Sequence, residues 1–231
     1  MSGCNSLNQI MIVITFSEPV KNENNDLPTS YREFVGKYGY GTYCGIINIT
    51  EPDDQVIYST FSDDEYWEFT QVFSEDDFKK AIQLASTIEG DIICYVKGKP
   101  NQLFILPRNS ETILSFDNLK NVFVFYHENY CLSDVYFEPL LGRNIENFSL
   151  INGEKLIDIT LIHNQFLKDF EYDFIIGKEQ PKYVIKKIGG WIKFDLVYKN
   201  SISISYQVTE NPDNTYAKYV AYIKSAIALH Q

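Results

Sequence analysis

The sequence of 231 residues predicts an α+β fold, in which helices and strands share residues 1–145 and strands dominate residues 146–231. Three observations support this prediction. Helical spacing of apolar residues is confined to a few short stretches. Other stretches have the character of strands and are separated by turn residues such as glycine, proline and asparagine. Aromatic residues make up 15% of the chain, a content that suits sheets and protein-binding surfaces.

The first predicted helix lies in "LPTSYREFVGKY", residues 27–38. Pro28 fits a first helical turn, and Gly39 is a natural left-handed end. The stretch that follows, "YCGIINIT" (residues 43–50), predicts a strand that ends at Glu51–Pro52. The predicted buried face of the helix shows the 3-4-7 spacing that one helical side requires: Tyr31, Phe34, Val35 and Tyr38.

The glycines between these two elements invite comparison with a phosphate-binding loop. Such a loop places GxGxxG after a strand and before a helix, so that the helix amides point at the phosphate. Here Gly39, Gly41 and Gly45 follow a helix, and the third glycine comes one residue late for that spacing. The amides would lie at a helix C-terminus, where the dipole disfavours an anion. The glycines therefore predict a sharp turn rather than a nucleotide site.

The stretch "FSEDDFKKAIQLASTIEG", residues 73–90, predicts the most regular helix of the chain. Ser74 can cap it, and Asp77 stands three residues later, as in a capping box. Acidic residues fill the first turn, where the helix dipole favours them, and Gly90 closes the helix. Before it, "FSDDEYWEF" (residues 61–69) predicts a short helix or a turn. The predicted apolar stripe consists of Phe78, Ala81, Ile82 and Ala85.

Three more stretches complete the first part of the chain. Residues 91–108 predict two strands joined by the turn-rich "KGKPN", and so a hairpin. Residues 111–130 contain one strand and one helix whose boundary the sequence does not give. Residues 134–140 predict a last strand that ends at Pro139. We therefore predict a first domain of residues 1–145.

Residues 146–231 predict a β-rich extension or small second domain that ends in a helix. Gly189–Gly190 predicts a two-residue hairpin, and Lys199–Asn200 is a weaker signal of the same kind. In the C-terminal helix, Tyr216, Tyr219, Val220, Ile223 and Ile227 form one stripe, which Asp213 or Asn214 can precede as a cap. The predicted strands are residues 154–163, 170–176, 182–188, 191–199 and 201–208.

The charge of the chain is strongly uneven. The net charge is −11, and residues 1–145 carry all of it, with 21 acidic and 10 basic residues. Between Glu51 and Phe78 there are ten acidic residues and no basic one. Such a field repels nucleic acid and anionic membranes and attracts basic partners. We therefore expect a basic protein partner, with neither a nucleic acid nor a membrane as a target.

The sequence gives no metal or cofactor site and no catalytic group. The four cysteines and three histidines lack metal-ligand spacing, so reduced thiols in a cytoplasmic protein are expected. The acidic run lacks the glycine and the spacing of a calcium loop. Cys131 stands four residues after His127 with nothing to activate it. Glu65 and Glu68 are three residues apart, as in many acidic helices, so a carboxylate enzyme is the least favoured alternative.

The first part of the chain resembles the SUKH superfamily, specifically its Smi/Knr-type domain. The resemblance covers roughly residues 25–140 and rests on four blocks in the family's order. A Tyr95 or Cys94 stands where many members have a tryptophan. The blocks are an opening Leu-Pro, aromatic helix and glycine turn (residues 27–52), a second helix followed by Gly90–Asp91 (residues 73–93), the hairpin return "NQLFILPR" (residues 101–108) and the closing "YFEP" (residues 136–139).

This resemblance implies a mixed sheet flanked by helices, without catalytic residues common to the family. Bacterial members are mostly immunity proteins that bind and neutralise polymorphic toxins, often nucleases or deaminases. The alternative is an intracellular regulatory scaffold of the same fold that binds endogenous proteins. In the immunity hypothesis the acidic stretch docks on the basic cleft of a toxin, with Tyr66, Trp67 and Phe69 as candidate aromatic anchors. The candidate partner-binding residues are Asp53, Asp54, Asp63, Asp64, Glu65, Tyr66, Trp67 and Glu68.

Overall fold

The computed structural model describes residues 11–14, 19–21, 24–61, 66–132, 134–140, 144–153, 155–207 and 215–230. Over these residues the protein has an α+β fold, as predicted. The chain forms two compact units. The first unit comprises Met1–Val13 and Ser17–Leu140, and the second comprises Ile14–Phe16 and Leu141–Gln231.

The first unit is built on one mixed sheet. Along it the strands follow the order β1-β8-β2-β3-β4-β5-β6-β7, and each pairs antiparallel with its neighbours except β1, which runs parallel to β8. The strands are β1 Ile12–Val13, β2 Gly41–Tyr43, β3 Ile47–Asp53, β4 Ala81–Thr87, β5 Ile92–Val96, β6 Leu103–Leu106, β7 Leu114–Phe116 and β8 Tyr136–Pro139. The helices are α1 Thr29–Tyr38, α2 Val56–Phe61, α3 Glu75–Phe78 and α4 Leu119–Asn129.

The helix α1 and the turn after it confirm the prediction for residues 27–41. Tyr31 and Val35 are buried, and Gly39 ends the helix at a φ of 73°. Gly41 allows a close approach of two strands, because a Cβ there would lie 2.3 Å from the carbonyl oxygen of Glu138 in β8. The stretch predicted as one strand forms a hairpin instead: β2 turns at Cys44–Gly45, both at positive φ, into β3, which runs on to Asp53.

The predicted helix over residues 73–90 is wrong beyond its first turn. Ser74 and Asp77 do form the capping box, but α3 ends at Phe78 and the chain continues as β4. A β-bulge between Gln83 and Ala85 breaks the alternation of β4, so that Ala81, Leu84 and Ala85 are buried at helical i, i+3, i+4 spacing. Within residues 73–90, which resemble the family's second helix in sequence, the longest element is thus the central strand β4.

Two further predictions for the first unit are confirmed, and one helix was missed. The strands β5 and β6 form the predicted hairpin, and all their residues are buried. The mixed stretch of residues 111–130 resolves into β7 and α4, with the side chain of Asn118 capping the helix. The helix α2 was not predicted, and residues 66–69 form no helix.

The second unit has a five-stranded antiparallel sheet with the strand order β12-β13-β14-β15-β9. Its apolar core contains Ile192, Phe194, Ile202 and Ile204 of the sheet. The elements are β9 Asn144–Ser149, the hairpin β10 Ile151–Asn152 and β11 Lys155–Leu156, α5 Ile159–Asp169, β12 Phe174–Ile176, β13 Lys182–Ile185, β14 Gly190–Phe194, β15 Ser201–Tyr206 and α6 Thr215–Leu229.

Two predictions for this unit were wrong. Residues 154–163, predicted as a strand, hold β11 and the start of α5, which Asp158 caps through the Thr160 amide at 2.9 Å. β-Branched residues suggested a strand, yet Ile159, Ile162 and Phe166 are buried with helical spacing. The predicted two-residue loop at Gly189–Gly190 is a turn over residues 186–189, because Gly190 already pairs with Ile185.

The remaining predicted strands and the terminal helix of the second unit are present, but β12, β13 and β14 are shorter than predicted. Ile202, Ile204 and Tyr206 share the buried face of β15, and Tyr219, Ile223 and Ile227 are buried on α6. The strand β9 was not predicted. Val208 and the predicted caps of α6, Asp213 and Asn214, lie outside the described residues.

Candidate functional site

Asp53 and Asp54 lie at the end of β3, where both side chains are exposed. The Asp53 carboxylate accepts the backbone N–H groups of Gln55 at 2.8 Å and Val56 at 3.0 Å, and so caps the first turn of α2. Asp54 accepts a bond from the side-chain amide of Gln55 at 3.0 Å. Asp53 therefore stabilises local structure, a role that the sequence analysis did not assign to it.

The other candidate residues apart from Trp67 fall into two groups. Asp63, Asp64 and Glu65 lie outside the described residues. Tyr66 and Glu68 are exposed, and the backbone N–H of Glu68 donates to the Glu111 carbonyl oxygen at 2.9 Å.

Trp67 is a core residue, which corrects its assignment as a surface anchor. Its side chain is 9% exposed. Its indole N–H donates to the Pro107 carbonyl oxygen at 2.8 Å, and its ring lies 5.3 Å from Phe61 and 6.0 Å from Phe78. Burial of a large ring whose polar group has a partner is the usual state of a core tryptophan. Trp67 therefore packs inside the first unit and is not exposed to a partner.

Three exposed aromatic side chains pack on Phe61 or Phe78, the ring neighbours of Trp67, and we call them the aromatic patch: Tyr58, Tyr66 and Phe69. They are 46%, 51% and 45% exposed. Tyr58 and Phe69 both pack on Phe78, at 6.3 and 5.7 Å between ring centroids, and Tyr66 packs on Phe61 at 5.7 Å. Exposed rings that pack on other aromatic rings offer apolar area in fixed orientations, as protein-binding anchors do.

Sequence reasoning found Tyr66 and Phe69 but missed Tyr58. Tyr58 belongs to α2, a helix that the sequence did not predict. Its partner Phe78 lies twenty residues away on α3, so no local pattern connects the two rings. The available signal was Asp53, because an aspartate carboxylate often accepts the backbone N–H two residues later in an Asx-turn.

Acidic residues flank the aromatic patch in the chain, and two of them are neutralised. The ion pairs found among the described residues join Lys79 to Glu75 and Lys99 to Asp77, each at 2.9 Å. The first is exposed, where such pairs contribute little stability. Neither ion pair involves the exposed acidic residues Asp53, Asp54, Glu68 and Asp76.

Asp77 has a structural role and is not one of the exposed acidic residues near the aromatic patch. Its carboxylate accepts the backbone N–H and the hydroxyl of Ser74, both at 2.8 Å, and the Lys99 ammonium at 2.9 Å. Burial raises the pKa of Asp77, but the bonds from Lys99 and Ser74 outweigh it and hold the pKa below the ordinary 3.8. The charged form is thus the one that the folded state stabilises.

Replacing Asp77 with alanine is expected to destabilise the protein by about 1–2 kcal/mol, because the cap of α3 and the Lys99 contact are both lost. The neighbouring Asp76→Ala is the control and should cost about 0.5 kcal/mol. Since the folded-state pKa of Asp77 is lowered, the difference in cost between the two variants is present above pH 3.8. It disappears as the pH falls through the folded-state pKa. Urea unfolding at several pH values measures it, and equal costs for both variants would contradict the capping role.

Potential metal ligands and thiols are the remaining reactive groups to describe. The part of the chain that the structure describes contains no group of three or more histidine, cysteine, aspartate or glutamate side chains that could hold a metal ion. Burial raises the pKa of the Cys44 thiol to about 11, and burial also raises that of Cys94, so both remain protonated. Cys131 is exposed, and its thiol donates to the Glu128 carbonyl oxygen at 3.7 Å rather than to His127.

Comparison with family models, with curated proteins and with solved structures gives no match. Among the described residues, no helix has the length and apolar character needed to cross a membrane. The properties of the aromatic patch and of the acidic residues near it are therefore the basis for the function proposed below.

Proposed function

We propose that this chain is a non-catalytic, cytoplasmic immunity protein of the bacterial SUKH superfamily, which binds and neutralises a basic protein toxin such as a nuclease. The observation that carries the proposal is the aromatic patch, Tyr58, Tyr66 and Phe69, within a stretch that has ten acidic residues and no basic one. Nucleic acid and anionic membranes are not expected partners of such a stretch.

The two components of this surface have different roles in binding. Exposed carboxylates such as Asp54, Glu68 and Asp76 attract a basic protein over long distances and raise the association rate. The rings then exclude water at the contact and slow dissociation. A nuclease must present a basic cleft to its substrate, so a protein that covers the cleft with opposite charge blocks substrate entry without any bond being made or broken.

The positions of the four sequence blocks in the fold also support the family proposal. Gly90–Asp91 leads into the buried strand β5, the block over residues 101–108 supplies β6, and "YFEP" forms β8. All three strands belong to one mixed sheet. The block over residues 73–93 departs from the expected second helix, and it is the weakest part of the resemblance.

The test begins with the partner. Affinity purification of the tagged chain from its native host, with mass spectrometry of the bound proteins, is expected to recover a basic toxin. Co-expression of the chain should then protect cells from that toxin. Recovery of endogenous regulatory proteins without any toxin would favour the scaffold alternative, and protection that required turnover of a substrate would contradict the non-catalytic role.

The charge contribution is tested with the triple variant Asp54→Asn, Glu68→Gln and Asp76→Asn. We expect affinity for the recovered toxin to fall about tenfold at low salt, and its salt dependence to flatten. The matched control removes three acidic charges from the second unit: Asp169→Asn, Glu171→Gln and Glu179→Gln. Association and dissociation rates measured at several salt concentrations test this expectation. Equal losses of affinity in both variants would show that net charge acts without a defined surface.

A further inference from the structure

A cavity of about 310 Å³ opens in the second unit. It is lined by residues from three segments: the end of α5 with the residues that follow it, the end of β13 with the turn after it, and the start of α6. A volume of this size accommodates a small organic molecule. The lining combines apolar side chains with charged side chains of both signs, so it can be examined for the kind of ligand that it fits.

The apolar part of the lining is formed by aromatic rings and one isoleucine. Tyr219 and Ile185 are buried and belong to the apolar core of the second unit. Phe170 is half-buried, and its ring centroid lies 4.9 Å from that of Tyr219. Tyr172 is exposed and packs edge to face on Tyr183 at 4.9 Å. Because these side chains already pack on neighbours, an aromatic ligand meets a preformed wall, and little side-chain entropy is lost on binding.

The charged part of the lining carries both signs. All of its charged side chains are exposed, and they comprise three carboxylates and two ammonium groups: Asp169, Glu171, Asp173, Lys187 and Lys218. Neither of the ion pairs found in the described part of the chain includes any of these five residues. The cavity therefore presents carboxylates and ammonium groups that do not neutralise one another by direct contact.

Two of the carboxylates act on the buried wall of the cavity. Burial raises the pKa of the Tyr219 hydroxyl, and the charges of Asp173 and Glu171 raise it further. One carboxylate oxygen of Asp173 accepts the backbone N–H of Lys186 at 2.7 Å, which orients this side chain and leaves its other oxygen for a ligand. A ligand ammonium group beside Tyr219 can therefore pair with two carboxylates.

The ammonium groups come from two other segments of the lining. Lys187 belongs to the turn over residues 186–188, and Lys218 belongs to the first turn of α6. The dipole of α6 adds to the positive charge at this end of the helix. Both ammonium groups are carried on flexible stems, so they can follow a ligand carboxylate over a range of positions.

From the cavity, its aromatic wall and its charges of both signs, we propose that it binds a free α-amino acid with an aromatic side chain. The aromatic ring lies against Phe170 and Tyr219. The ammonium group of the ligand pairs with Glu171, and its carboxylate pairs with Lys187 and Lys218. A ligand that lacks either charged group leaves one sign of the lining without a counter-ion. This inference is independent of toxin binding, because the cavity and the aromatic patch share no residue.

Three probes with the same ring and different charged groups test the proposal: L-phenylalanine, phenethylamine, which lacks the carboxylate, and 3-phenylpropanoate, which lacks the ammonium group. Binding to the intact chain is followed by NMR titration of the backbone amides. We expect L-phenylalanine to bind most tightly, about fivefold more tightly than either analogue, with shifts at residues 169–173 and 185–187. An equal affinity for all three probes, or no shift at these residues, would overturn the proposal.

Two variants distinguish the contacts of the two charged groups of the ligand. Glu171→Gln is expected to weaken binding of L-phenylalanine and of phenethylamine about threefold to fivefold, without weakening that of 3-phenylpropanoate. The double variant Lys187→Gln and Lys218→Gln is expected to weaken binding of L-phenylalanine and of 3-phenylpropanoate to a similar extent, without weakening that of phenethylamine. If each variant weakened binding of all three probes equally, the assigned charge contacts would be wrong and the proposal would fail.

Matched controls make the same changes of charge at exposed residues of the second unit outside the cavity. They are Glu179→Gln for the acidic side, and Lys168→Gln together with Lys224→Gln for the basic side. Both controls should leave the affinity for L-phenylalanine unchanged. If either control lowered this affinity as much as its counterpart in the cavity, the charge of the unit rather than the cavity would hold the ligand, and the proposal would be overturned.

Discussion

Replacing Trp67 with alanine is expected to destabilise the first unit by about 3–5 kcal/mol. The side chain is 9% exposed and packs between Phe61 and Phe78. Its removal leaves a cavity under the aromatic patch, and it deprives the Pro107 carbonyl oxygen of the donor found at 2.8 Å. Urea unfolding followed by far-UV circular dichroism measures the loss of unfolding free energy.

Two further variants separate the packing of Trp67 from its hydrogen bond and from its position in the chain. Trp67→Phe keeps an aromatic ring and loses the donor, so we expect a cost of about 1–2 kcal/mol. Tyr66→Ala removes the exposed neighbour and should change stability by about 0.5 kcal/mol or less. If Trp67→Ala unfolded at the same urea concentration as the unaltered chain, the assignment of Trp67 to the core would be wrong.

Elements defined by local chemistry were predictable from the sequence. The helix α1 follows from four apolar residues on one face and a glycine end, and the hairpin of β5 and β6 follows from two apolar runs around "KGKPN". The capping box of Ser74 and Asp77 was also predictable, since its signal spans only four residues. In each case the residues that determine the structure lie close together in the chain.

Elements that depend on distant partners were not predictable. The strand β4 lies between β3 and β5, and its bulge produces burial at helical spacing, so periodicity alone indicated a helix. The start of α5 shows the opposite error. Its β-branched residues favour a strand, but packing in the apolar core of the second unit keeps them helical. Tertiary contacts therefore determine the secondary structure of both segments.

The same distinction applies to the candidate surface. The excess of acidic residues is a sum over the sequence, so it could be counted without a structure. The aromatic patch depends on Phe78, which brings together Tyr58 and Phe69 from separate segments. Exposure also separates Tyr66 from Trp67, two adjacent aromatics that composition cannot distinguish.

The double variant Tyr58→Ala and Phe69→Ala is expected to weaken binding of the recovered toxin by about 100-fold or more. Aromatic anchors at the centre of an interface each contribute on the order of 2 kcal/mol, and about 1.4 kcal/mol corresponds to a tenfold change. The loss should appear mainly as faster dissociation, because the association rate depends on the carboxylates, which this variant retains. Surface plasmon resonance separates the two rates.

Two controls make this result specific to the aromatic patch. Phe69→Tyr preserves the ring and is expected to retain most of the affinity, whereas Tyr198→Ala removes a 70% exposed tyrosine from the second unit and should have no effect. The triple charge variant should slow association and leave dissociation nearly unchanged, the reverse of the aromatic double variant. If both variants altered the same rate to the same extent, the division of roles between charge and aromatic contact would be wrong, and a single anionic contact would explain binding better.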